Sequence, residues 1–233
     1  MSRFVLASFL ILGVTGVFAA SEADDATLDI VNKYLDATKV QQAALRGCQM
    51  DVDIDAKLPR LEKQGKLRAL RIVSRLGQII YKGLDFTGDN TIKKEVIARY
   101  LEAESQARDD GSMAISPENY KFRLKAKLTQ NENVTYIFQL TPKKKRQGLF
   151  KGELWLDAAT GMPVRESGQL VKNPSVFLKK VEFVREYQLE NGVALPSHIE
   201  STVDTRIAGK AELSINFSHF THEHDVDEDS GAH

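Results

Sequence analysis

This sequence has almost no cysteine, no excess of charge and no long membrane-spanning run. Cys48 is the single cysteine among 233 residues, so no disulfide can form within the chain. The 32 basic residues balance 32 acidic ones, which leaves no basic excess of the kind that nucleic-acid-binding domains usually carry. The apolar run over residues 4–17 is too short for a comfortable membrane span.

That apolar run has the layout of a secretory signal peptide. Arg3 supplies a short basic start, and Val17 and Ala19 place small residues third and first before a cleavage point. We therefore expect residues 1–20 to be a signal peptide, cleaved near Ala19 or Ala20, and the mature protein to be periplasmic.

Residues 120–220 alternate apolar and polar side chains in one segment after another, which predicts β-strands. Turn residues separate the segments. Asn191-Gly192 is an example, and Asn-Gly is typical of a two-residue hairpin. The pattern favours an α+β, mainly β fold, built on one wide antiparallel sheet with one apolar face.

Two helices are predicted beside the sheet, over residues 23–45 and 90–108, and strands are predicted over residues 48–56, 66–74 and 78–86. Weak alternation in the last two strands indicates that both of their faces are buried. About nine strands at ~4.8 Å spacing make a sheet ~43 Å wide, whereas a helix is only ~10 Å across. We therefore expect a curved antiparallel sheet, an unclosed β-barrel, with the helices covering its concave apolar side.

A concave apolar face that two helices cover incompletely favours a cavity for a hydrophobic ligand. A tightly packed sandwich without a cavity is the alternative. The side chains predicted to line the cavity lie on the apolar positions of the strands, and they are Phe122, Leu124, Tyr136, Phe138, Phe183, Ile199, Val203, Leu213 and Ile215.

A basic loop lies between two predicted strands, formed by Lys143, Lys144, Lys145 and Arg146. One interpretation is a solvated hairpin tip. The other is a docking site for an anionic membrane surface or an acidic partner, with Leu149 and Phe150 inserting if the next strand begins late enough to expose them.

Catalytic and metal-binding patterns are missing. No Gly-x-Ser-x-Gly elbow and no phosphate-binding glycine loop occurs, so we expect no enzyme and no cofactor. Asp51, Asp53 and Asp55 alternate along a predicted strand, and we interpret them as a solvated face rather than a metal site. Cys48 falls on an apolar strand face, which favours an inert buried thiol.

We expect a monomer, with one domain over residues 21–220 and a disordered acidic, histidine-containing tail over 221–233.

The hairpin sequence over residues 152–165 resembles that of exported bacterial proteins of the outer-membrane lipoprotein-sorting class. The segments 193–196 and 205–210 are also similar to this LolA/LolB-like superfamily, which includes the RseB-type periplasmic sensors. The resemblance implies an unclosed β-barrel, a helical lid held by a polar contact at the cavity mouth, and a cavity for lipid or lipoprotein acyl chains. It implies no catalysis. We also expect transient contact with a membrane surface or membrane protein. A periplasmic sensor or protein-interaction module on the same fold is the alternative.

Overall fold

Ten strands make up most of the computed structural model, which describes residues 18–105, 111–173, 178–206 and 208–222. The strands are β1 (Cys48–Leu58), β2 (Lys63–Val73), β3 (Ile79–Gly88), β4 (Tyr120–Gln130), β5 (Asn133–Pro142), β6 (Phe150–Asp157), β7 (Pro163–Leu170), β8 (Leu178–Glu190), β9 (Val193–Thr205) and β10 (Lys210–His222). They form one antiparallel sheet in the order β3-β2-β1-β10-β9-β8-β7-β6-β5-β4. The two edge strands, β3 and β4, do not pair with each other, so the barrel is unclosed as predicted.

Helices pack on one face of this sheet. The first, α1 (Phe18–Leu45), precedes β1. The second helical segment follows β3 and consists of α2 (Asn90–Ile92), a π-helical turn (Lys93–Ile97) and α3 (Ala98–Ser105). Asp89 caps its start, because its carboxylate accepts a hydrogen bond from the backbone N–H of Thr91 at 2.7 Å. The predicted end near residue 108 lies outside the described residues.

Period-two alternation accounts for the strands. Every second residue of β1 is buried: Cys48, Met50, Val52, Ile54, Ala56 and Leu58. The Asn191-Gly192 hairpin is confirmed, since both residues have positive φ angles, 51° and 78°, as its turn type requires. The strand order follows the chain except where β1 pairs with β10, which places β2 and β3 on one side of β1 and the other strands on the other.

The prediction that both faces of β2 and β3 are buried is wrong. Ile80 is 42% exposed, Leu84 is 58% exposed, and β3 has no buried residue. On β2, Leu70 and Ile72 lie half-buried on the face opposite Leu67, so apolar residues occupy both faces. On β3, an extra residue near Gly83, whose φ is 61°, moves the following side chains to the other face.

The two predicted terminal segments lie mostly outside the described residues, so the signal peptide and the tail stay predictions. At the C-terminal side, β10 includes Thr221 and His222, which the sequence places in the tail.

Candidate functional site

One row of directly paired residues crosses all ten strands on the face that the helices cover, which we call the concave face. Directly opposite residues of neighbouring strands share a face. From β3 to β4 the row is Phe86, Leu67, Ile54, Ile215, Ile199, Arg185, Glu166, Leu154, Phe138 and Leu124. Eight of its members are apolar, and the two charged residues stand together in the middle.

All nine predicted lining residues lie on this concave face, but they fall into two groups. Ile199, Leu213 and Ile215 are buried in a cluster around β1, together with Ile92 and Ile97 of the second helical segment, and Val203 packs against it. The other five belong to a cluster under α1, where Phe138 is buried and the remaining members are half-buried: Phe122, Leu124, Tyr136 and Phe183.

The two clusters leave the middle of the sheet open. Strand β8 pairs on both sides, with β7 and β9, yet none of its thirteen residues is buried. A central strand without a buried residue is one that neither face of the sheet covers fully. On the concave side, the half-buried strip of the sheet between the two helices includes Val181, Phe183, Ser201 and Val203, and we call this strip the cleft.

Gly168 leaves room on the concave face beside Phe183, because it has no side chain. The two residues are paired across β7 and β8, and a Cβ at Gly168 would lie 2.6 Å from the ring of Phe150 and 2.7 Å from the backbone oxygen of Lys151. Phe150 and Phe183 meet edge to face with their ring centroids 5.0 Å apart. The glycine thus allows two aromatic side chains to pack across three strands.

Three polar side chains lie beside this cleft, next to Phe183 on the concave face. They are Glu166, Arg185 and Tyr187, and we call them the central trio. One carboxylate oxygen of Glu166 accepts a hydrogen bond from Nη1 of Arg185 at 2.8 Å, and the other accepts one from the hydroxyl of Tyr187 at 3.0 Å. The Glu166 side chain is 7% exposed, whereas that of Arg185 is 40% exposed. The alternation of the sequence does not single out these three residues as a site.

A tyrosine on each helix lies close enough to the central trio for its charges to shift the tyrosine pKa. Burial, followed by the nearby charge of Glu166, raises the pKa of Tyr34 on α1. Burial also raises the pKa of Tyr100 on α3, with further contributions from Glu104, which raises it, and from Arg185, which lowers it. Tyr187 itself has a raised pKa, first from burial and then from Glu166. These phenols are therefore neutral groups around the charged pair.

Polar contacts fix the second helical segment to the sheet. Arg71 on β2 donates from Nη2 to Glu104 on α3 at 3.1 Å, and the hydroxyl of Tyr81 on β3 donates to the same carboxylate. Both partners of the ion pair are well covered, with Arg71 11% and Glu104 21% exposed. The pair lies on the concave face, since Arg71 is directly opposite Met50 in the sheet.

The first helix is tied to the turns at one end of the sheet. Lys33 donates from Nζ to the backbone oxygen of Ala158 at 2.9 Å and to that of Ala159. Farther along the helix, Gln41 donates to the backbone oxygen of Ala194 at 2.7 Å. These contacts hold α1 across the β6–β7 turn and the start of β9.

A groove of about 380 Å³ lies on the opposite, convex face, across β6 to β9. Five of its eight lining residues are charged or polar, namely Lys151, Gln169, Glu182, Glu200 and Thr202, and the other three are Val184, Gly168 and Phe183. Ligand pockets for apolar molecules are lined predominantly by apolar and aromatic side chains. The concave cleft is therefore the better match for an acyl chain, and the convex groove is the competing location.

The basic loop is placed between β5 and β6. Lys143, Lys144 and Lys145 are exposed, while Arg146 is half-buried and donates to the backbone oxygen of Ser112 at 3.0 Å. Insertion of Leu149 and Phe150 into a membrane is contradicted, because both side chains are buried, at 1% and 5% exposure. The three lysines remain as a candidate docking surface.

The aspartates of β1 pair with separate bases instead of converging on one point. Asp53 pairs with Arg68 at 2.9 Å, Asp55 with Lys66 at 2.7 Å, and Asp51 with His219 at 3.0 Å. Within the described part of the chain, no group of three acidic, histidine or cysteine side chains could hold a metal ion. In that same part, no helix is both long enough and apolar enough to cross a membrane.

Comparisons with known proteins give matches in structure. No protein-family model and no curated protein matches the sequence. Among solved structures, a LolA superfamily protein from Nitrosomonas europaea is similar with a TM-score of 0.41 and 13% identity, over 83% of this chain and 93% of that one. An outer-membrane lipoprotein-sorting protein domain from Vibrio parahaemolyticus has a TM-score of 0.42 and 12% identity, over 87% of this chain and 97% of that one.

The MucA/MucB complex of Pseudomonas aeruginosa is also matched, with a TM-score of 0.27 and 11% identity, over 84% of this chain and 99% of that one. Because these TM-scores are below 0.5, the similarity indicates nothing about function, which has to be inferred from the residues of this chain.

Proposed function

We propose that the protein is an exported, non-catalytic periplasmic carrier that holds the acyl chain of a lipid or lipoprotein in the concave cleft. The single observation that supports this most is the uncovered middle of the sheet. Central strand β8 has no buried residue, although apolar clusters flank it on both sides. Burial of an acyl chain there would remove exposed apolar surface from water, at about 25 cal/mol per Å².

The second helical segment would act as the lid of this cleft. Its contact with the sheet combines the apolar side chains of Ile92 and Ile97 with the Arg71–Glu104 ion pair. The second helical segment is described over residues 90–105, close to the ~12–15 residues below which isolated helices are marginal in water, so its position depends on its contacts with the sheet. The lid would therefore move by losing its contacts with β2 and β3.

Native mass spectrometry of gently purified protein, followed by titration with a fluorescent fatty acid, tests the proposal. Two adjacent residues of β9 provide matched variants that differ in the face they alter. Ser201 is half-buried on the concave face, opposite Phe183, and Thr202 is half-buried in the convex groove. Ser201→Trp should block the cleft and abolish binding, while Thr202→Trp should bind like the wild type.

The outcomes separate the alternatives. Loss of binding in Thr202→Trp but not in Ser201→Trp would place the ligand in the convex groove and contradict the proposal. The absence of both a co-purified lipid and fatty-acid binding would instead favour a protein-interaction module. Circular dichroism of both variants serves as the folding control.

A further inference from the structure

The central trio interrupts an apolar surface in a way that packing does not require. Along β8, the concave positions are Val181, Phe183, Arg185 and Tyr187, so a charged residue replaces an apolar one in the third place. A well-packed apolar pair of similar volume is often as stabilising as a buried ion pair, or more so. A charged pair beside an open cleft is therefore a candidate for a binding role.

The ion pair is asymmetric, and its positive end faces the cleft. Glu166 is covered, and both of its oxygens are already occupied by Arg185 and Tyr187. Arg185 is six times more exposed by the same measure, 40% against 7%. Its hydrogen bond to Glu166 uses one of the five N–H donors of a guanidinium. A negatively charged ligand in the cleft thus meets the cation before the anion.

Apolar side chains continue from the cation along the strand. Phe183 is two residues from Arg185 on the same face, and the guanidinium carbon lies 5.4 Å from the centroid of its ring. Val181 comes next, directly opposite Val203 of β9. At ~3.3 Å per residue, the four residue steps from Arg185 to Val181 span ~13 Å. The floor therefore offers one cationic anchor followed by an apolar track.

We propose that Arg185 binds the anionic headgroup of an amphiphile, either a carboxylate or a phosphate, and that the acyl chain lies on Phe183, Val181 and Val203. The planar guanidinium matches both groups, because it can donate two parallel hydrogen bonds to their oxygens. This inference rests on the proposed function and adds to it the class of ligand and the direction in which it lies. The headgroup is innermost, near Tyr187 and α1, and the chain runs toward the start of β8.

Calorimetric titration with five probes tests the anchor: palmitate, monoacyl lysophosphatidate, the neutral monopalmitin, acetate and inorganic phosphate. The wild type should bind the two anionic amphiphiles more tightly than monopalmitin, and should bind the two chainless anions far more weakly. Arg185→Gln should weaken binding of the anionic amphiphiles about 10- to 100-fold, the range expected for charge-assisted hydrogen bonds, and leave monopalmitin unchanged.

Glu166→Gln distinguishes an anchor from a structural pair. It removes the competing negative charge and should tighten palmitate binding several-fold, whereas a pair that only supports the fold predicts no gain. It also provides a readout if Arg185→Gln fails to fold because Glu166 is left buried without its partner. The double variant Arg185→Gln/Glu166→Gln should fold and lose the preference for anions.

The chain offers a matched control on the other face of the same two strands. Arg165 pairs directly with Glu186 across β7 and β8, with 3.1 Å between Nη1 and Oε1, on the convex side. Arg165→Gln should leave all five titrations unchanged.

Equal affinity of the wild type for monopalmitin and palmitate, together with no change in Glu166→Gln, would overturn the anchor and leave the carrier function standing. Binding of inorganic phosphate as tight as that of lysophosphatidate would overturn the amphiphile in favour of a free anion. Failure of every amphiphile to bind would overturn both proposals.

Discussion

The ion pair between Arg71 and Glu104 is a well-covered polar contact between α3 and the sheet, and Glu104→Ala is the change that isolates it. The variant leaves the Arg71 guanidinium covered by protein, over the ring of Phe217 at 5.9 Å, without its carboxylate. It also removes the acceptor of the Tyr81 hydroxyl. Nε of Arg71 is already buried without a hydrogen-bond partner among the described residues, so the side chain has little to replace Glu104.

The expected magnitude follows from this burial. Removal of one partner from a buried ion pair costs about 3–5 kcal/mol, because the other charge stays uncompensated. Since Glu104 retains 21% exposure, we expect the lower end, about 3 kcal/mol of the free energy of unfolding. For a chain of this size, each 1 kcal/mol shifts the melting temperature by roughly 2–4 °C, which gives a decrease of about 6–12 °C.

Urea and thermal unfolding, followed by circular dichroism, measure the effect. Glu95→Ala is the control on the same helical segment: Glu95 pairs with Arg99 at 2.8 Å, but the two side chains are 55% and 68% exposed. Exposed pairs of this spacing contribute about 0.3–0.5 kcal/mol. In addition, Glu104→Ala should speed the association of a fluorescent fatty acid, because the lid opens more often. A loss of stability no larger than that of Glu95→Ala would show that the Arg71–Glu104 pair does not stabilise the position of α3.

Three further predictions concern groups elsewhere in the fold. Burial raises the pKa of the Cys48 thiol, so less thiolate is present; a thiol reagent should label the native protein slowly at about pH 8 and the urea-unfolded protein at once. Burial raises the pKa of Tyr34 above its unfolded value of 10.0, so the contribution of the neutral phenol to stability is present below about pH 10 and is lost as the pH rises further. Above pH 10, the free energy of unfolding should therefore fall less steeply with pH in Tyr34→Phe than in the wild type, by up to ~1.4 kcal/mol per pH unit. Urea unfolding measured on both sides of pH 10 checks this. The three exposed lysines of the basic loop are Lys143, Lys144 and Lys145, and each should contribute ~1 kcal/mol to binding of an anionic membrane surface. Changing all three to serine should therefore abolish the salt-sensitive co-sedimentation of the protein with anionic vesicles. Equal sedimentation of the wild type and the variant would show that the loop is a plain turn.

The sheet could be predicted from the sequence because alternation and turn chemistry are local. Asn191-Gly192 identified its hairpin without knowledge of any distant residue, and the parity of Phe138 or Ile215 placed each of them on the correct face. The order of the strands could not be predicted in this way, because it depends on contacts between distant parts of the chain. Nothing between β1 and β10 indicates that these two strands pair, since their contact joins residues as far apart as Ile54 and Ile215.

The candidate site was predicted only in its apolar part. The alternation predicted over residues 120–220 includes Val181, Phe183 and Tyr187, and the exception at position 185 is the signal that points to the central trio. Its partner Glu166 lies on another strand, and a pairing of this kind depends on register, which a bulge can shift by one residue. The same limit applies to Arg71, whose partner is on α3.

Photo-crosslinking with a palmitate analogue that carries a diazirine in its chain, followed by mass spectrometry of the peptides, shows which face of the sheet holds the acyl chain. We expect labels on concave residues of β8 and β9, such as Phe183, Ser201 and Val203, and their loss when unlabelled palmitate is added in excess. Labels confined to the convex residues Lys151, Gln169 and Glu182, or labelling that excess palmitate does not reduce, would contradict this expectation.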